Sequence, residues 1–225
     1  VEPRGGRIAT QRLEALLGRI GVEPGALRTA LSRLTADGWL EREKNGRSSR
    51  YRFSRRGIAE TRPAAQRIYA PPHTNTGDWT LGFGPLPAGA VALATDAWIA
   101  PGAQTAGQIG VTGPLTTLNS AGLARTCPPD VHAALSVIRA EALALAEAAP
   151  DLPSLEAMAA RILLVHRLRR AVLRGQDRPG ALLPADLRTP DPRMAVAAAY
   201  CALHAPSERW LDASDAGLEP MPKPD

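Results

Sequence analysis

At 225 residues, 44% apolar but only 4% aromatic, the chain is long enough to bury a core built mainly from Leu, Ala and Val. Its net charge of +5 is uneven: residues 1–70 carry 15 Lys/Arg against 7 Asp/Glu, a balance of +8, which leaves the remainder at −3. A basic module on a mildly acidic remainder points to a polyanion-binding part joined to a part with another task. No apolar run approaches the roughly 20 residues of a membrane span, and Cys127 and Cys201 form no metal-ligand pattern, so a reduced, cytoplasmic protein without a resident cofactor or metal is expected.

The first element is an amphipathic helix over residues 10–20, with Thr10 as N-cap and Leu13, Leu16, Leu17 and Ile20 at helical spacing. Gly21 ends it, and Glu23-Pro24 opens a second helix, because proline fits a first turn whose N–H lacks an intrahelical partner. Leu27, Ala30, Leu31 and Leu34 form a stripe expected to face a core. At about 100° per residue, Arg28, Thr29, Ser32 and Arg33 fall on the opposite arc. Two short helices across a glycine turn predict a helix-turn-helix, whose second helix enters the DNA major groove and reads base edges.

Gly38 stops the second helix, and a hairpin follows: Trp39–Glu43, a turn at Lys44-Asn45-Gly46-Arg47, and Ser48–Phe53. Asn-Gly favours such a turn because both central residues take positive φ. Ser49, Tyr51 and Phe53 alternate with Ser48, Arg50 and Arg52, predicting one half-apolar face and one basic face. A basic-tipped hairpin after a recognition helix reads as a wing that touches phosphates or the minor groove, through Lys44, Arg47, Ser48 and Arg50. The same pattern also occurs in protein-docking modules, and a basic hairpin can simply be a charge-protected edge. A non-DNA adaptor is therefore the competing reading.

Residues 61–69 end a linker helix broken by Pro71-Pro72. From Trp79 to about Leu118, Gly, Pro, Thr and Val predict short strands, with Gly82-Phe83-Gly84 a structural turn rather than a phosphate loop. Helices are expected over 131–148 (N-cap Asp130), 154–174 and 192–204. In the middle one, Leu164, Val165, Leu168, Ala171 and Val172 share a core arc, while Arg167, Arg170 and Arg174 share another. His166 and Arg169 fall on the flank of the core with Ile162 and Leu173, where His166 reads as a satisfied interior histidine. No nucleophile–base–orienter set and no paired carboxylates are visible, so an enzyme is not expected.

Several segments together resemble the PaaX family of bacterial repressors of phenylacetic acid catabolism. They are Pro3–Gly6, Leu27–Leu34, Asp37-Gly38-Trp39-Leu40, Gly46–Tyr51, Arg67-Ile68-Tyr69, Gly82–Leu86, His166–Arg170 and Leu182–Leu187. The resemblance implies an α+β, multidomain chain: a winged helix-turn-helix at 1–58, a linker at 59–78, a small ferredoxin-like middle domain at 79–127, and a helical effector and dimerisation domain at 128–225. It implies a homodimer on double-stranded operator DNA, released by an aryl-CoA such as phenylacetyl-CoA. On that reading His166, Arg167, Arg169, Arg170 and Arg174 form an anion site for the CoA phosphates, which arginine forks suit. The plainer reading is a solvated face paired with acids such as Asp177 or Asp186. Family members carry a further helix before the Pro-Arg-Gly-Gly stretch, and a strand and helix before the Gly-Phe-Gly motif. Here Trp79-Thr80-Leu81 runs straight into Gly82. Either the middle domain is degenerate or residues are missing there, and the second is expected.

Overall fold

A computed structural model describes residues 6–45, 48–71, 77–87, 89–105 and 109–213, and only the backbone of Asn45 and Ser48. The chain is α+β, and it divides into two compact units that interleave in sequence: residues 1–69, 145–163 and 199–225, and residues 70–144 and 164–198.

The first unit opens with β1 (Arg7–Ala9), α1 (Thr10–Arg19), α2 (Pro24–Ala36), β2 (Leu40–Asn45), β3 (Ser48–Phe53) and α3 (Arg55–Ile68). The strands form an antiparallel sheet in the order β1-β3-β2. Gly21 and Gly38 end the two helices with φ of 85° and 74°, a region that costs glycine little. Pro24 sits in the first turn of α2, as its sequence position requires. Thr10 is not the N-cap of α1: Ala9 holds that place, and the Thr10 hydroxyl donates instead to the Ser49 carbonyl at 3.0 Å. Asn45 pairs with Ser48, so Gly46 and Arg47 are the two residues between the strands, one position later than the Asn-Gly turn expected. The turn itself lies outside the described residues. Ser54 caps α3 by accepting from the Gly57 amide at 2.9 Å and donates to the Gly38 carbonyl at 2.6 Å, so the exit of α2 and the start of α3 meet on one hydroxyl.

On α2 the expected apolar stripe is half buried. Leu27 and Leu31 are core, but Ala30 is exposed and Leu34 keeps 40% of its surface. Leu34 instead lines an apolar groove of about 700 Å³ with Leu13, Leu40, Phe53 and Ile58. A buried cluster of this unit joins Leu16 of α1 to Met158, Ala159, Trp210 and Leu211. Arg12 lies over the Trp210 ring at 4.1 Å and donates to the Trp210 carbonyl, while Arg19 pairs with Glu156.

The second unit contains β4 (Asp78–Phe83), β5 (Val91–Ala92), β6 (Ala97–Pro101) and β7 (Ile109–Pro114), an antiparallel sheet in the order β5-β6-β4-β7. Trp79 to Gly82 belong to a single strand paired on both sides, and among the described residues no helix stands between the strands of this sheet. Gly82 is required there by contact: a Cβ would stand 2.2 Å from the Trp98 ring. Helix α4 (Ser120–Thr126) follows, and then α5 (Pro129–Ala148), α6 (Ser154–Leu173) and α7 (Pro192–Asp212). Asp130 lies inside the first turn of α5 rather than capping it. Helix α7 runs two turns past His204, carrying Pro206 within it. Buried Trp210 and Leu211 hold those last turns against α1.

Candidate nucleic-acid interface

With Leu27 and Leu31 turned inward, the polar positions of α2 divide into two sets. Arg28 and Ser32, with Thr35, line a groove of about 620 Å³ whose other walls are Thr10, Gln11 and Glu14 of α1 and Arg42, Ser49 and Tyr51 of the hairpin. Thr29 and Arg33 are exposed but lie outside that lining. The Thr29 hydroxyl turns back along the helix to the Gly25 carbonyl at 3.0 Å. Four residues expected to act together are thus two groove residues and two outward ones.

The hairpin has two faces of different electrostatics. Residues opposite one another in an antiparallel pair share a face, so Leu40, Arg42 and Lys44 share one with Phe53, Tyr51 and Ser49, while Glu41 and Glu43 share the other with Arg52 and Arg50. That second face was expected to be basic. It is an ion-pair ladder: Arg52 pairs with Glu41 at 2.7 Å and Glu43 at 3.4 Å, and Arg7 of β1 pairs with Glu43 at 3.2 Å. The strand β3 alternation was read without the two glutamates that β2 sets across from it. On the first face, Arg42 donates through Nε and Nη2 to Ser49 Oγ at 3.0 and 2.7 Å. Arg42 and Lys44 are both exposed, and no carboxylate among the described residues pairs with either.

Of the other expected wing residues, Arg50 is half-buried on the laddered face. Arg47 lies outside the described residues, as does the Ser48 side chain. Gln11 and Arg42 were missed. The signal for Arg42 was available, since it stands two residues before Lys44 and so shares its face, but it shows only once the two strands are aligned.

The arginines of α6 separate in the same way. Arg167, Arg170 and Arg174 line a groove of about 350 Å³ with Gln176, against Ala133, Ala134, Val137 and Ile138 of α5. His166 and Arg169 are exposed and outside it, so His166 is not an interior histidine. Arg167 pairs with Glu141 at 3.0 Å. The acids expected as partners are engaged elsewhere: Asp177 with Arg193 at 2.5 Å, and Asp186 with His132 at 2.8 Å. The expected core arc holds, with Leu164, Leu168, Ala171 and Val172 buried and Val165 partly so. Among the described residues no group of three or more His, Cys, Asp or Glu is placed to hold a metal, and no helix is long and apolar enough to cross a membrane.

The comparisons with known proteins bear on the same N-terminal stretch. Residues 1–57 match the PaaX-like protein family. A transcriptional repressor PaaX of Escherichia coli (strain K12) is 44% identical over 66 residues, which is 29% of this chain and 21% of the relative, so the match spans about a fifth of that repressor's length. Among solved structures, an uncharacterised protein of Mycobacterium tuberculosis, Rv0674, is 21% identical with a TM-score of 0.45, over 88% of each chain. The matched residues 1–57 include α1, α2, β2 and β3, the elements that line the groove. The likeness to the PaaX family therefore rests on this N-terminal segment.

Proposed function

We propose that the chain is a DNA-binding transcriptional repressor that reads duplex DNA with α2 and steadies itself on the backbone with the β2–β3 hairpin. The observation that carries this reading is the convergence of Arg28 and Ser32 from α2 with Arg42 from the hairpin on one open groove. That convergence lies in the stretch of net charge +8 and in the segment matched to the family. A helix presenting arginine and short hydroxyl side chains can enter the major groove, where a guanidinium takes guanine O6 and N7 together. Arg33, exposed on the last turn of α2, would make a second contact along the same helix.

In the same reading the repressor is a homodimer acting on genes of aromatic, phenylacetate-type catabolism, and an aryl-CoA such as phenylacetyl-CoA releases it. The α6 groove suits such an effector: Arg170 and Arg174 offer cations to phosphates, and Val137, Ile138 and Ala171 offer an apolar wall. Electrophoretic competition with single-base operator variants tests the DNA reading. Arg28→Ala and Arg33→Ala should each cost about 1–3 kcal/mol and flatten base preference at one position. Unchanged preference in both would remove α2 as the reading helix. Titrating acyl-CoA thioesters against the operator complex tests the effector, and flat curves across the panel would discard it while leaving DNA binding intact.

A further inference from the structure

The hairpin offers an anion two unequal faces. On the face of Glu41 and Glu43, cations already stand in a ladder with carboxylates, and an approaching phosphate would meet those acids as well. On the opposite face the Arg42 guanidinium is held by one hydroxyl, with Ser49 Oγ accepting from Nε and Nη2. Of the five N–H donors of a planar guanidinium, that contact uses the Nε side. Among the described residues nothing bonds to the end formed by Nη1 and the outer Nη2 hydrogen, and such an end takes two oxygens of a phosphate as a fork. The holder is itself anchored, because the Ser49 carbonyl accepts from Thr10 at the start of α1. Across the groove stands Arg28.

We infer that Arg42 is the residue by which the hairpin grips a DNA phosphate, and that Ser49 is its positioning residue. The backbone then enters between α2 and the Arg42–Lys44 face of the hairpin, rather than along the Arg50–Arg52 face. This rests on the DNA-binding reading above and adds the side of the hairpin, the atom pair and the way it is oriented. Charge and orientation have separate signatures. Removing a phosphate-bound charge lowers the slope of log K against log salt by about 0.9. Removing the holder keeps the charge and costs only the freezing of a mobile side chain.

Fluorescence anisotropy of the full chain with a random-sequence labelled duplex, over a series of salt concentrations, tests it. Arg42→Ala should bind about tenfold more weakly near 0.1 M salt, with the slope shallower by about one. Ser49→Ala and Arg42→Lys should bind about threefold more weakly on the wild-type slope, because each keeps the charge and loses the held fork. Arg50→Ala should keep the wild-type slope. Arg42→Ala on the wild-type slope, or a flattened slope in Arg50→Ala instead, overturns the inference and leaves the DNA-binding reading standing. A wild-type chain that shows no salt-dependent binding overturns both. Melting curves matching wild type for Ser49→Ala and Arg42→Lys ensure that these losses are not losses of fold.

Discussion

The groove beside α2 and the groove beside α6 both set helix arginine over a solvent-open hollow, Arg28 in one and Arg167, Arg170 and Arg174 in the other, yet they differ in what faces them. Beside α2, the facing elements add polar groups and a further cation: Arg42, Ser49 and Gln11 converge with Arg28 and Ser32, with Glu14 the single acid of the lining among the described residues. Beside α6, the facing helix offers Ala133, Ala134, Val137 and Ile138, and one arginine is already tied to Glu141. Cations converging from two elements suit a long, evenly charged polyanion, whose phosphates must be met from both sides of a groove. Cations on one wall and hydrocarbon on the other suit a small amphiphilic anion, part charged and part apolar. Both helices bring arginine to a groove, and the opposing wall separates the two.

Three variants test whether the two grooves have separate tasks. The largest effect is expected at Trp210, whose ring supports Arg12 and packs with Leu16. Trp210→Ala should cost about 3–5 kcal/mol, read as a lowered denaturant midpoint, and should weaken DNA binding by loosening α1, which supplies Thr10 and Gln11 to the groove. A lowered midpoint with unchanged DNA affinity of the folded chain would separate α1 from the interface. Next, the double variant Arg28→Ala with Arg42→Ala should lose about a hundredfold in duplex affinity near 0.1 M salt if each arginine meets its own phosphate or base. Non-additive losses would mean that the two share one contact. Smallest is the effect of Arg170→Ala with Arg174→Ala: DNA affinity without effector should stay within about twofold, while release by phenylacetyl-CoA is lost, a weakening of effector binding on the order of 2–3 kcal/mol. If that variant lost DNA affinity instead, the two grooves would not have separate tasks.

Much of the first unit was legible because its signals are local. Gly21, Pro24 and Gly38 punctuate the helices where the chain turns, and the Leu27–Leu31 pair turns inward as helical spacing requires. What failed depends on partners distant in sequence. Leu34 fits the apolar stripe, but periodicity marks a face and not whether anything covers it. His166 falls on a flank that spacing alone leaves undecided, and the structure exposes it. The basic face expected on β3 is neutralised by Glu41 and Glu43, a pairing set by strand register rather than by alternation within one strand. The packing of α1 against Met158, Ala159 and Trp210 joins residues far apart in the chain and left no mark in any local window.

The central claim is that the N-terminal groove holds a nucleic-acid backbone, and the salt dependence of duplex binding tests it most directly. The account predicts that wild-type log K falls linearly with log salt, with a slope of several units. Arg28→Ala combined with Arg42→Ala should remove about one of those units, the phosphate contact of Arg42, and flatten base preference through Arg28. A wild-type chain whose affinity for duplex DNA is indifferent to salt, or a double variant with the wild-type slope, would contradict it.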